Sequence, residues 1–152
     1  MLNSWHRWFL LCLATTGLGQ AQQFVCAKHI ETPTYPQLAR QANLAGKVAL
    51  TLALDADGKV ESVEATTENP QLQKVPVLQK SAVENVKHWT FAKPPSIPFT
   101  QVIIYDYELD ASLPGDDGTN PISKVTFDLP DRVTVLTNYR LVETQGAKPK
   151  RR

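Results

Sequence analysis

The sequence predicts an α+β domain: a small three-stranded antiparallel sheet with two helices on one face, followed by an appended C-terminal β-hairpin. Three observations predict it. Residues 48–54 alternate strictly, with Val48, Leu50, Leu52 and Leu54 on one side and Ala49, Thr51 and Ala53 on the other, the period of two that a half-buried strand shows. Two amphipathic segments flank this strand and its return, one opening at Tyr35 and one at Val75. A β-branched and aromatic run, "FTQVIIYDYEL" at residues 99–109, supplies a third strand.

In chain order, residues 1–21 come first, with a basic start ending at Arg7, an apolar run over residues 8–19 and small residues up to Ala21. That is the layout of a secretory signal peptide cut after Ala21. As a helix the apolar run spans about 18 Å, against roughly 30 Å of bilayer hydrocarbon. A cleaved signal is therefore expected rather than a retained anchor. Cleavage removes Arg7 and no acidic residue, which balances a chain of 16 basic and 15 acidic residues. A balanced chain lacks the phosphate-neutralising surface of a nucleic-acid binder, so none is expected as a partner. Cleavage also removes Cys12 and leaves Cys26 alone, with no internal disulfide framework. Cys26 is expected as a small buried residue, with pairing between molecules as the alternative.

Residues 22–31 form a lead-in that can supply a strand. The first helix is expected over residues 35–45, with Thr34 or Tyr35 capping, Pro36 tolerated in the first turn and Gly46 as a left-handed C-cap. Tyr35, Leu38, Ala39, Ala42 and Ala45 make its apolar stripe. After the leucine strand, "DADG" at residues 55–58 reads as a hairpin turn, since Asp bonds its own backbone and Gly tolerates positive φ. Val60, Val63 and Ala65 mark the returning strand, and the uneven gap between the valines predicts a bulge. Val75, Leu78, Ala82, Val86 and Trp89 stripe a second helix, which "AKPPSIP" at residues 92–98 must end. Both helices are expected on the leucine face. "PGDDGTNP" is a loop by composition, and "ISKVTFDL" with "RVTVLT" makes the appended hairpin, which can pair with the strand at residues 99–109. The organisation predicted is a signal at 1–21, a lead-in at 22–31, a core domain at 32–110, a loop at 111–121, a hairpin at 122–138 and a basic disordered tail at 139–152.

Side chains that could carry chemistry have plainer roles. Asp55 and Asp57 lack the spacing of a calcium loop, because Gly58 and Lys59 follow at once. His29 and His88 have no partner at ligand spacing, so no metal is expected. Trp89 lies in an apolar stripe, where core packing is its expected role.

Together these residues resemble the C-terminal domain of the TonB family of periplasmic energy transducers. The likeness rests on "YP" opening the first helix, "AGKVALTLALDADGKVESV" as strand and hairpin, and "SAVENVKHWTFAKP" as the second helix and its exit. The resemblance implies a non-catalytic, cofactor-free domain that takes an extended partner segment as an added strand, the mode called β-augmentation. Carried over by position, residues 99–109 would be the docking edge, with Gln101, Ile103 and Tyr105 at its centre and Tyr35 and Pro36 beside it. The implied partner is a protein or peptide, with a TonB-dependent outer-membrane transporter as the candidate. A homodimer stays open.

Family transducers carry a membrane helix with a Ser-x-x-x-His pair and a proline-rich spacer. Residues 8–19 hold no such pair, and the link to residue 32 reaches only roughly 40 Å when extended. The expectation is therefore a secreted periplasmic module. Membrane contact would follow only from a retained N-terminal segment, which would make the chain an inner-membrane-anchored transducer. A third class, a small cell-envelope hydrolase, would need a nucleophile and its base; the sequence has no G-x-S-x-G and no glycine-rich phosphate loop.

Overall fold

The computed structural model describes residues 23–114 and 123–139. The signal at 1–21, most of the loop at 111–121 and the tail beyond Tyr139 lie outside the described residues. In chain order the elements are β1 (Ala27–His29), α1 (Gln37–Gln41), β2 (Gly46–Leu54), β3 (Val60–Thr66), α2 (Pro70–Lys74), α3 (Val77–Val86), β4 (Thr90–Phe91), β5 (Phe99–Asp110), β6 (Ser123–Asp128) and β7 (Arg132–Asn138). The class is α+β, but the main sheet has five strands rather than three, in the order β3-β2-β5-β7-β6. A separate ribbon joins β1 to β4.

The hairpin expected as an appendage is part of the sheet. β7 runs parallel to β5, from Ile104 opposite Arg132 to Asp110 opposite Asn138, and β6 closes the far side antiparallel to β7. The physical reason is cover for the aromatic core. Val133 and Val135 are fully buried, and the Phe127 ring of β6 lies 6.1 Å from that of Trp89.

The helices lie on the leucine face. Ala39, Leu72, Leu78, Ala82 and Val86 form one buried cluster with Val48, Leu50, Leu52 and Leu54. α1 is shorter than its stripe suggests. Asn43, at φ 48°, ends it; Asn43 N–H bonds Arg40 O and Leu44 N–H bonds Ala39 O, the Schellman pattern that satisfies the last carbonyls. Gly46 is thus not the cap. It opens β2 at φ 145°, where a Cβ would meet Leu72 Cδ1 at 2.9 Å.

The second predicted helix, entered through Pro76, is α3, and a short helix that the sequence reading did not expect, α2, precedes Pro76. Pro76 has no N–H to continue α2, and α3 starts anew after it. Asn69, read only as polar sequence, caps α2 through Gln71 N–H at 2.9 Å, with Pro70 in the first turn. The hairpin turn is built as expected. Asp55 Oδ1 accepts from Asp57 N–H and Lys59 N–H at 2.9 and 2.8 Å, and the bulge falls where β2 pairs Ala53 with Ser62 but Leu54 with Val60. Gly58, at φ 81°, packs on Phe91, whose carbonyl oxygen would lie 2.3 Å from an added Cβ.

Burying Val133, Val135 and the aromatic faces they cover is worth about 1.5–3 kcal/mol per side chain, against a total stability on the order of 5–15 kcal/mol for a domain. A chain ending at Pro114 is therefore expected to lose its cooperative urea transition and to bind a hydrophobic dye. An unchanged urea midpoint would show the hairpin to be an appendage after all.

Candidate partner-binding site

The strand expected as a docking edge is the middle strand of the sheet. β5 pairs with β2 from Leu54 opposite Phe99 to Gly46 opposite Tyr107, and with β7 from Ile104 onward. Because strand residues alternate faces, Gln101, Ile103, Tyr105 and Tyr107 all point towards the helices and are buried. The side chains of Gln101, Ile103 and Tyr105 are thus core residues, and the expectation of a free edge along residues 99–109 is corrected for its second half.

The first half is different. Ile104 N–H donates to Asp131 O at 2.7 Å, so even-numbered residues of β5 turn their main-chain groups away from β2. Continuing the register downward sets Val102 at the level of Pro130, in the turn between β6 and β7. β7 stops there. Among the described residues, the main-chain groups of Thr100 and Val102 meet no partner on that side.

An apolar cleft of about 320 Å³ lies by this stretch, lined by Phe24, Val25, Ala27, Phe91, Leu129 and Pro130, with Cys26 beside them. Phe24 and Leu129 are exposed. Gln101 ties the cleft wall to β5. Its Oε1 accepts from Val25 N–H at 3.1 Å; that N–H can only donate, which turns Gln101 Nε2 the other way. There, buried, Nε2 has no partner among the described residues.

Tyr35 and Pro36 do not join this stretch. Tyr35 packs edge-on against Tyr107, with ring centres 5.4 Å apart, and its hydroxyl donates to Leu44 O. Tyr107 stacks on Tyr105 at 6.2 Å, and Tyr105 meets Trp89 at 6.3 Å. The structure therefore joins Tyr35 and Tyr105 in one aromatic row and leaves Gln101 at the opposite end of β5. Pro36 accepts from Arg40 N–H at the start of α1. Trp89 is a core residue, its Nε1–H donating to Glu31 O at 3.1 Å. Tyr105 donates to Asn85 Oδ1 at 2.8 Å, and Asn85 Nδ2 donates in turn to Glu31 O.

The sequence reading missed Thr100, Val102 and the cleft residues Phe24 and Leu129. Their only signal is relational: they matter because β7 ends where it does. Cys26, expected to be buried, is exposed, and its carbonyl accepts from Ala92 N–H at 2.7 Å. His88 comes within 3.8 Å of Glu31 at the surface, and no cluster of three metal-ligating side chains occurs among the described residues. Asp57 pairs with Lys93 at 3.0 Å, and that contact holds its carboxyl below the usual range. A second hollow, of about 480 Å³, lies on the uncovered sheet face between Lys47, Ala49, Thr66 and Ile104. No helix among the described residues is long and apolar enough to cross a membrane.

Among the described residues the geometry offers main chain and apolar wall on a small α+β domain. The family model for the C-terminal region of the Gram-negative bacterial TonB protein matches residues 31–109. That is over half of the chain, and the chain belongs to this family. A search of curated proteins finds no match. The family consists of non-catalytic interaction domains, periplasmic or anchored in the inner membrane, whose partners are proteins such as outer-membrane transporters. The chain is a TonB-like periplasmic protein of energy transduction.

Burial pushes the Tyr107 hydroxyl up to about 12; Ser81 restrains the rise, although it does not reach hydrogen-bonding geometry. Burial, then the neighbouring Tyr107, raises Tyr105 as well. A raised folded-state value means that the neutral phenol is favoured in the fold. Stability is thus intact below about pH 10, the unfolded value, and is lost as pH rises from there towards the folded values, by about 1.4 kcal/mol per pH unit for each phenol. Tyr105→Phe is expected to flatten this alkaline loss in urea unfolding. At neutral pH it costs about 1–2 kcal/mol, because Asn85 Oδ1 loses its donor.

Proposed function

We propose that the protein is a periplasmic, non-catalytic TonB-like module that takes a short extended segment of a partner protein as an added strand. The segment lies along residues 99–103 of β5, in the gap below the start of β7. The observation that carries this reading is the unpaired main chain of Thr100 and Val102 beside an apolar cleft. In β-augmentation, main-chain bonds supply affinity and side-chain pockets set register. Five residues at about 3.3 Å each give roughly 17 Å of edge, room for a partner strand of about that many residues. One apolar side chain of the segment enters the cleft between Phe24 and Leu129, and Gln101 beneath it fixes the lead-in that forms one wall. The aromatic row through Tyr35, Tyr105 and Tyr107 holds the other half of β5 rigid.

The family makes an outer-membrane transporter the partner of choice, and the expected site is its exposed periplasmic segment. Transfer of force to that partner requires an anchor, and the function proposed here is the gripping half of that task.

Val102→Pro removes the outward donor without taking a bond from β2, because Val102 turns its main-chain groups away from that strand. In calorimetric titration with peptides from the periplasmic ends of outer-membrane transporters, Val102→Pro is expected to weaken binding at least about tenfold, the worth of one net hydrogen bond. Val102→Ala should bind as the parent does. Equal affinity of the proline variant, folded by circular dichroism, would contradict the reading.

A further inference from the structure

The outermost strand, β6, carries a pattern that complements itself. The contact from Ile104 N–H to Asp131 O turns odd-numbered residues of β7 towards β5 and even-numbered ones towards β6. In the β6–β7 register, Thr134 faces Thr126 and Leu136 faces Lys124. The even-numbered residues of β6 therefore spend their main-chain groups on β7, and Ser123, Val125 and Phe127 turn theirs outward. Among the described residues nothing pairs with that edge. Except for the half-buried Val125, every residue of β6 is exposed.

Antiparallel pairing of β6 with a second β6 about a twofold axis at Thr126 places Lys124 opposite Asp128 twice. It sets Val125 opposite Phe127 twice and Thr126 opposite its own copy. Opposite charges, an aromatic ring against a β-branched side chain, and paired threonines are each favourable cross-strand neighbours. In this register Val125 and Phe127, whose groups point outward, become the hydrogen-bonded pairs, so four main-chain bonds form. Shifting the register by two residues in either direction loses both charge pairs.

The opposite edge of the sheet does not share this property. β3 carries Glu61 and Glu64 and no basic residue, so a second copy meeting it there gains no opposite charge. Among the described residues no ion pair engages Lys124 or Asp128, and Asp128 lies across from Arg132 of β7. A Lys124 from a second copy would leave Asp128 between two cations.

We infer that two copies of this chain join through β6, antiparallel about Thr126, to make one continuous ten-stranded sheet. The interface lies on the hairpin beyond the family-matched residues and leaves residues 99–103 of β5 open, so each copy keeps its proposed docking stretch.

The test is sedimentation equilibrium of the full chain and its variants. The parent is expected to dimerise. Lys124→Asp turns two attractive pairs into repulsive ones and should weaken the dimer about tenfold or more. Adding Asp128→Lys to it restores the pairs in reverse and should restore the dimer. Val125→Pro removes an outward donor, which edge positions tolerate, and should give a folded monomer. The inference is overturned by a parent that stays monomeric at millimolar concentration. A Lys124→Asp variant that dimerises as the parent does, or a folded double variant that stays monomeric, overturns it as well. If the double variant fails to fold, Val125→Pro decides: a folded proline variant with parental dimerisation overturns the inference. Peptide binding in the calorimeter is read separately and is expected to survive in all of these variants.

Discussion

The structure depends on β5 being shared. From Phe99 to Tyr107 it gives alternate main-chain groups to β2, and from Ile104 onward it gives the others to β7. A strand held from both sides has no slack, and its buried face, Gln101, Ile103, Tyr105 and Tyr107, becomes the floor on which the helices and the aromatic row rest. The same sharing leaves a short stretch around Thr100 and Val102 held by β2 alone. Stability and binding are thus divided along a single strand.

That division explains why the terminal hairpin is not ornamental. A three-stranded sheet with two helices would leave Trp89 and Tyr105 with one flank open to water. Phe127, Val133 and Val135 close it. Covering the second half of β5 also removes most of an exposed edge, a common protection against strand-to-strand aggregation. What remains open is short, and it lies next to a cleft whose walls come from distant parts of the chain, Phe24 and Val25 on one side, Leu129 and Pro130 on the other.

Much of the fold was legible in the chain because it is written in local terms. The alternation of Val48, Leu50, Leu52 and Leu54, the Asp55 and Gly58 turn, and the stripe of Leu78, Ala82 and Val86 each need only their neighbours to be read. The misreadings share the opposite property. Gly46 looked like a helix cap because its reason for being glycine is Leu72, twenty-six residues away in α2, while Asn43 took the left-handed position. The five-residue α2 before Pro76 went unread because its one buried residue, Leu72, sets no stripe of its own. The parallel pairing of β7 with β5 has no local signature at all. Gln101, Ile103 and Tyr105 were placed on the right strand, but whether that strand is an edge depends on where Pro130 falls relative to Val102, which no periodicity reveals.

The account stands or falls on the one-sided pairing of Thr100 and Val102, and amide hydrogen exchange followed residue by residue tests it most directly. Amides held in the middle of a sheet exchange only through large openings, whereas unpaired ones exchange through local fluctuation. The account predicts fast exchange at Thr100 and Val102 between slowly exchanging neighbours at Gln101 and Ile103, slow exchange at Ile104, and slowing of those two amides when a partner segment binds. Protection at Thr100 and Val102 equal to that of Ile103 and Ile104 in the free protein would contradict it.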